Sequence, residues 1–240
     1  LRRAALLFAI LLTGCGGARR QAPISIAAAS DLNFALDEIA AHYPGQLRIS
    51  YGSSGNFFTA ISNGAPFDVF LSADVDYARR LARRPADVFE YAAGRLVVWV
   101  PAASALDPAT APASPAVRHL AIANPLHAPY GRAAEAALRH MGLWDAIQPK
   151  LVLGENIVQA FQFAESGAAD AGMVALSLAM APAARGKGRY WEVPPDAYPP
   201  IEQGGIILRD SPAARAFRDY LLSAPGRRIL KQYGFALPGN

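Results

Sequence analysis

What this chain lacks narrows its function first. It holds a single cysteine, Cys15, so no intrachain disulfide can staple the fold and an oxidising compartment is permitted but unused. Histidine occurs only four times and never at metal-ligand spacing, which argues against a zinc-type site at His127 or elsewhere. Charge of one sign is also missing. The 23 basic and 19 acidic residues leave a formal charge of +4, and no basic stripe gathers them, so nucleic acid is not an expected partner. The apolar run at 4–12 is nine residues long, well short of a bilayer span. No internal repeat or low-complexity tract is present. What remains, 52% apolar against 18% charged in 240 residues, is the balance of a globular chain with a sizeable core.

The first residues read as an address. Arg2 and Arg3 form a basic n-region, 4–12 an apolar h-region, and "LTGC" places Cys15 where a bacterial lipobox has its lipidated cysteine. Residues 1–22 are therefore expected to be a lipoprotein signal and tether, with lipidation at Cys15 anchoring the protein on the periplasmic face of a bacterial envelope.

Past that point the pattern alternates. "ISIAAAS" (24–30) reads as a buried strand and "DLNFALDEIAAHY" (31–43) as a helix with Leu32, Ala35, Leu36, Ile39 and Ala40 on one face. "QLRISYG" and "NFFTAISNG" repeat the strand and helix, and "FDVFLSAD" gives a third strand. Short connections between such elements predict a parallel, doubly wound unit whose strands all end on one edge. After the apolar strand "RLVVWVP" and a proline-rich loop, a second unit follows: "HLAIANP", the helix "GRAAEAALRHMGLWD", "KLVLGEN", "IVQAFQFAESG" and "AAGMVAL". "EVPPDAYPP" is irregular, "IEQGGIIL" is strand-like, and two helices close the chain. The expected architecture is α/β with two lobes and mixed sheets, 23–97 with 205–240 forming one lobe and 98–204 the other, and a ligand cleft between them beyond the strand ends.

Four loops on that edge, "AASDL", "GSSGN", "ANPLHAPYG" and "GENIV", run straight into helices. A helix start leaves N–H groups unpaired and carries about half a positive charge. Several converging starts, with the hydroxyls of Ser30 and Ser54 among them, could hold a small anion without lysine or arginine. Each serine alone is equally well an ordinary N-cap; the repetition favours a ligand. Arg132 is expected to be solvated or to bridge the lobes, and Asp68 and Asp74 to fix turns or bridge lobes. Trp99, Trp144 and Trp191 read as core or rim.

In order and spacing, "AAASDL", "YGSSG", "NGAPFDVFLSAD", "GRLVVWVP", "ANPLHAPYG", "ESGAADAGMVAL" and "LKQYGF" resemble the periplasmic molybdate-binding proteins, the ModA family of ABC-transporter receptors, from about residue 23 to the C-terminus. The resemblance implies a type II periplasmic binding protein that closes on molybdate, and on tungstate, and passes it to a membrane permease. It implies a monomer with no cofactor and no catalysis. Carried over position by position, it implies anion contacts from the Ser30 hydroxyl, the Asp31 N–H, the Ser54 hydroxyl and main chain, Tyr130 in "APYG" and the Ile157 N–H. One position departs: where many members place an anion-capping tyrosine, this chain has Ala175, with Tyr130 the candidate replacement. A receptor of the same fold for sulfate, thiosulfate or phosphate would use the same donors. A sensor domain of this fold would want a DNA-binding or signalling segment, where this chain has a lipobox. A serine hydrolase would need G-x-S-x-G, and Asn56 stands where "GSSGN" would require its second glycine.

Overall fold

A computed structural model of the chain describes residues 22–239; the lipobox around Cys15 lies outside them. In chain order the first unit comprises β1 (Ile24–Ala29), α1 (Asn33–His42), β2 (Leu47–Gly52), α2 (Ser54–Ser62), β3 (Val69–Ser72), α3 (Val75–Leu81) and β4 (Val88–Gly94). The second comprises β5 (Leu96–Pro101), β6 (Leu120–Ala123), α4 (Pro129–His140), α5 (Trp144–Ile147), β7 (Leu151–Gly154), α6 (Ile157–Glu165), β8 (Ala171–Ala175), α7 (Leu176–Ala179) and β9 (Gly188–Glu192). The chain then returns through β10 (Ile201–Ile207), α8 (Pro212–Leu222) and α9 (Ala224–Gln232).

The two sheets share one plan. The first has the order β2-β1-β3-β10-β4 and the second β7-β6-β8-β5-β9. In each, three parallel strands are followed by an antiparallel strand that has just crossed from the other lobe. The chain crosses near Arg95 and again between Glu192 and Ile201. These crossings differ from the expected borders at 97 and 204, which would cut β5 and β10. Each of those strands pairs along its whole length within one sheet. The second crossing carries four prolines, whose fixed φ limits its freedom.

Burial explains the elements. β1 and β3 are covered on both faces and read as continuous apolar runs. Ala35, Leu36 and Ile39 of α1 pack into a core with Ile26, Leu71 and Phe217. The second lobe closes around Trp99, Leu120, Ile122 and Phe161, the indole and phenyl rings meeting edge to face at 5.2 Å. Each such side chain contributes about 1.5–3 kcal/mol by leaving water.

Three local expectations change. The helix expected over 131–145 ends at His140, because Gly142 adopts φ +69° and turns the chain before α5. The helix expected from Asp31 begins as a 3-10 turn, Ser30–Leu32, before α1. Strands β4 and β9 form from stretches with no clear alternation; both are edge strands, held by pairing with β10 and β5.

Candidate functional site

Strand register gathers the loops. Ala29 lies opposite Gly52 at the ends of β1 and β2, so the chain leaves both strands side by side, one into Ser30 and the other into Ser53 and Ser54. Ala123 lies opposite Gly154 in the second sheet, which puts the approaches to α4 and α6 together in the same way. Across the cleft these pairs meet. Ser30, Asp31, Ser54, Tyr130 and Ile157 line one small cavity of about 10 Å³, the room of about one water molecule. Of the residues expected to contact an anion, all five lie on this cavity, and no Lys, Arg or His lines it.

Accounting for hydrogen bonds shows what each donor can do. Asn156 caps α6 and accepts from the N–H groups of Val158 and Gln159, so the Ile157 N–H is left for the cavity. Pro129 opens α4 without an N–H, making Tyr130 the first donor of that helix. Ser53 caps α2 through the Asn56 N–H at 3.3 Å. Ser54 Oγ accepts the Ala73 N–H at 3.0 Å, so its own proton is free to donate. The Ser30 hydroxyl has no hydrogen-bond partner among the described residues, although the residue is only 4% exposed. Residues of both lobes with neutral donor groups thus line one cavity, the kind of lining that suits an anion.

Asp31 is the one charged residue on the cavity, and it is 1% exposed. Its Oδ2 accepts from the Tyr130 phenol at 3.0 Å and from Gln203 Nε2 at 2.5 Å. Burial raises its carboxyl to about 6, against the opposing pull of the Gln203, Tyr130 and main-chain hydrogen bonds. Burial and the neighbouring carboxylate push the Tyr130 phenol well above its ordinary range. The phenol of Tyr130 therefore serves Asp31, and Tyr130 is one of the residues lining the cavity. Ala175 is fully buried at the end of β8, where it precedes α7.

The lobes also touch around the cavity. The Gly55 N–H donates to the His127 carbonyl at 2.9 Å, Asn56 Nδ2 donates to Glu155 Oε1, and Arg132 bridges to Asp74 and to the Tyr77 hydroxyl. Arg132 and Asp74 thus join the lobes, one of the roles expected for each. Asp68 fixes the Ser25 N–H at 2.7 Å, within the first lobe. Sequence reasoning missed Gln203 and Ser177, whose hydroxyl donates to the Asp31 carbonyl at 2.7 Å. Gln203 lies inside a strand and Ser177 in the first turn of the four-residue α7, and only the tertiary fold brings them to Asp31. The histidine nearest the site, His127, directs its ring to Glu155 and not to Ser54, so the serine has no base beside it.

The chain has relatives of known kind. Residues 24–236 match the family model described as bacterial extracellular solute-binding protein. The molybdate-binding protein ModA of Azotobacter vinelandii is 38% identical over 232 residues, covering 92% of each chain. The ModA of Rhodobacter capsulatus is 37% identical over 193 residues, covering 78% of this chain and 75% of that one. The solved structure of the Azotobacter vinelandii periplasmic molybdate-binding protein superposes with a TM-score of 0.83 at 33% identity, covering 90% of this chain and 99% of that one. These relatives are solute-binding transport proteins and not enzymes, and this chain belongs to the bacterial extracellular solute-binding protein family as a homologue of ModA.

Proposed function

We propose that this protein captures molybdate, and tungstate with it, and delivers the anion to an ABC-type permease, tethered to the membrane through a lipid on Cys15. The observation that carries the reading is the lining of the cavity: residues of both lobes with neutral N–H and hydroxyl groups, and no cationic side chain among them. A tetrahedral dianion that stays unprotonated near neutral pH needs donors only, and this cavity offers them from Ser30, Asp31, Ser54, Tyr130 and Ile157. The names of the two ModA relatives support the choice of molybdate among such ions. The lobes meet through Gly55, Asn56 and Arg132, so a surface spanning both differs between open and closed forms, and a permease could read it.

The reading is tested by thermal unfolding of ligand-stripped protein with molybdate, tungstate, sulfate, thiosulfate and phosphate in turn. A ligand at a thousand times its Kd adds about 4 kcal/mol, or roughly 8–16 °C at this chain length. Large shifts with molybdate and tungstate are expected, and small ones with the others. A dominant shift with sulfate or thiosulfate would keep the cleft and move the function to sulfur uptake.

A further inference from the structure

Asp31 stands at the seam of the lobes with its polar groups committed in different directions. It lines the cavity from the first lobe. Its carbonyl accepts from Ser177 on α7, and its Oδ2 from Tyr130 on α4, both in the second lobe. Gln203 on β10 braces the same oxygen from within the first lobe's own sheet. No other residue described here joins the cavity to the opposite lobe through both its carbonyl and its side chain.

The environment of that carboxyl is unusual. The groups facing it are neutral: the phenols of Tyr130 on α4 and Tyr91 on β4, the Gln203 amide on β10, and, from α7 and α6, Ser177 and Ile157. Asp31 Oδ1 and Gln203 Oε1 are buried with no hydrogen-bond partner among the described residues. A buried carboxyl without a cation is costly, and more so beside an anion site. The backbone around it is also shaped for the contact. A Cβ on Gly94 would lie 2.1 Å from the Tyr130 hydroxyl and 3.0 Å from Gln203 Nε2, so only glycine leaves the phenol its place.

We propose that Asp31 is the positioning residue that couples anion capture to lobe closure, its main-chain N–H meeting the anion while its carbonyl and carboxyl hold Ser177 and Tyr130 of the other lobe. This rests on the oxyanion reading above. The grip also sets a donor, because Tyr130 is held by its phenol at Asp31 and offers its own N–H to the same cavity. Closure then fixes anion contacts from both lobes at once, and loss of the grip shows as early release and not as failed encounter.

Stopped-flow binding and release of molybdate by the full chain tests this, with the melting temperature of the unliganded protein measured beside it. Tyr130→Phe and Ser177→Ala each keep the main chain and remove one link. Each is expected to speed release about tenfold or more, leaving association and the unliganded melt near wild type. Gly94→Ala, by displacing the phenol, is expected to speed release as well. Asp31→Asn should recover most of the slow release that Asp31→Ala loses, since its amide oxygen still accepts from Tyr130 and Gln203 can turn to meet the new amide protons. If Asp31→Ala does not fold, the Tyr130 and Ser177 variants decide alone. Release at the wild-type rate in both, or a lowered unliganded melt with unchanged release, would overturn the coupling and leave the oxyanion reading standing. A wild type that binds neither molybdate nor any other oxyanion tried would overturn both.

Discussion

The Ser54 hydroxyl works in two directions. Its oxygen takes the Ala73 N–H at 3.0 Å, and its proton is left to face the cavity. Ser54→Ala removes both, so two effects should separate. Loss of a donor to a buried anion is expected to weaken molybdate binding by about 1–3 kcal/mol, roughly 10- to 100-fold, and the stranded Ala73 N–H should destabilise the unliganded protein by a similar amount. Calorimetric titration reads the first and thermal unfolding the second. Unchanged affinity with a lowered melt would make Ser54 a brace for β3 and remove it from the site. Ser53, one residue earlier, also lines the cavity, and its oxygen caps α2 by accepting the Asn56 N–H.

At the scale of elements, α2 approaches the other lobe with its first turn bare. A Cβ on Gly55 would lie 2.5 Å from the His127 carbonyl oxygen and 2.9 Å from its Cα, backbone atoms that cannot rotate away. Alanine there favours the isolated helix by about 0.5–1 kcal/mol, so Gly55→Ala should hold or raise the unliganded melt. It should also wedge the lobes apart, lowering molybdate affinity at least tenfold and leaving the liganded protein more expanded in small-angle scattering. Wild-type affinity in that variant would mean that the Gly55–His127 contact is not needed for capture. Much of this was legible from local chemistry. The strands at 24–30 and 67–74 are apolar runs, and helix starts are marked by Ser53 and Asn156, whose side chains accept the first N–H groups, and by Pro129, which has no N–H to donate. Local pattern could not show that β4 and β9 form, since edge strands take their shape from a neighbour. Nor could it show that the Tyr130 phenol points to Asp31, or that Gln203, 172 positions along the chain, meets it. Those contacts exist only once β10 has returned to the first sheet.

For the whole molecule, the seam between two similar lobes carries a titratable group, and stability should record it. Asp31 has a folded-state value of about 6 against 3.8 ordinarily, because burial disfavours its charge. The folded state therefore binds more protons than the unfolded one between those values, and stability falls as pH rises through that window. The fall, on the order of 3 kcal/mol from 2.2 pH units at about 1.36 kcal/mol each, is complete above about pH 6. Asp170, where burial pushes the carboxyl up but the main-chain N–H groups and charges of His119 and Arg118 together hold it low, works the other way, contributing stability that is lost on acidification. A single melting curve against pH mixes the two. Asp31→Asn isolates the first, since it keeps the shape and cannot ionise. Its melting temperature relative to wild type should be lowest near pH 4, climb toward pH 6 and then stay level, a rise of roughly 6–12 °C. A difference that stays constant from pH 4 to pH 8 would mean that the Asp31 carboxyl ionises as freely in the folded protein as in the unfolded chain, and that water reaches the seam the closed lobes were thought to seal.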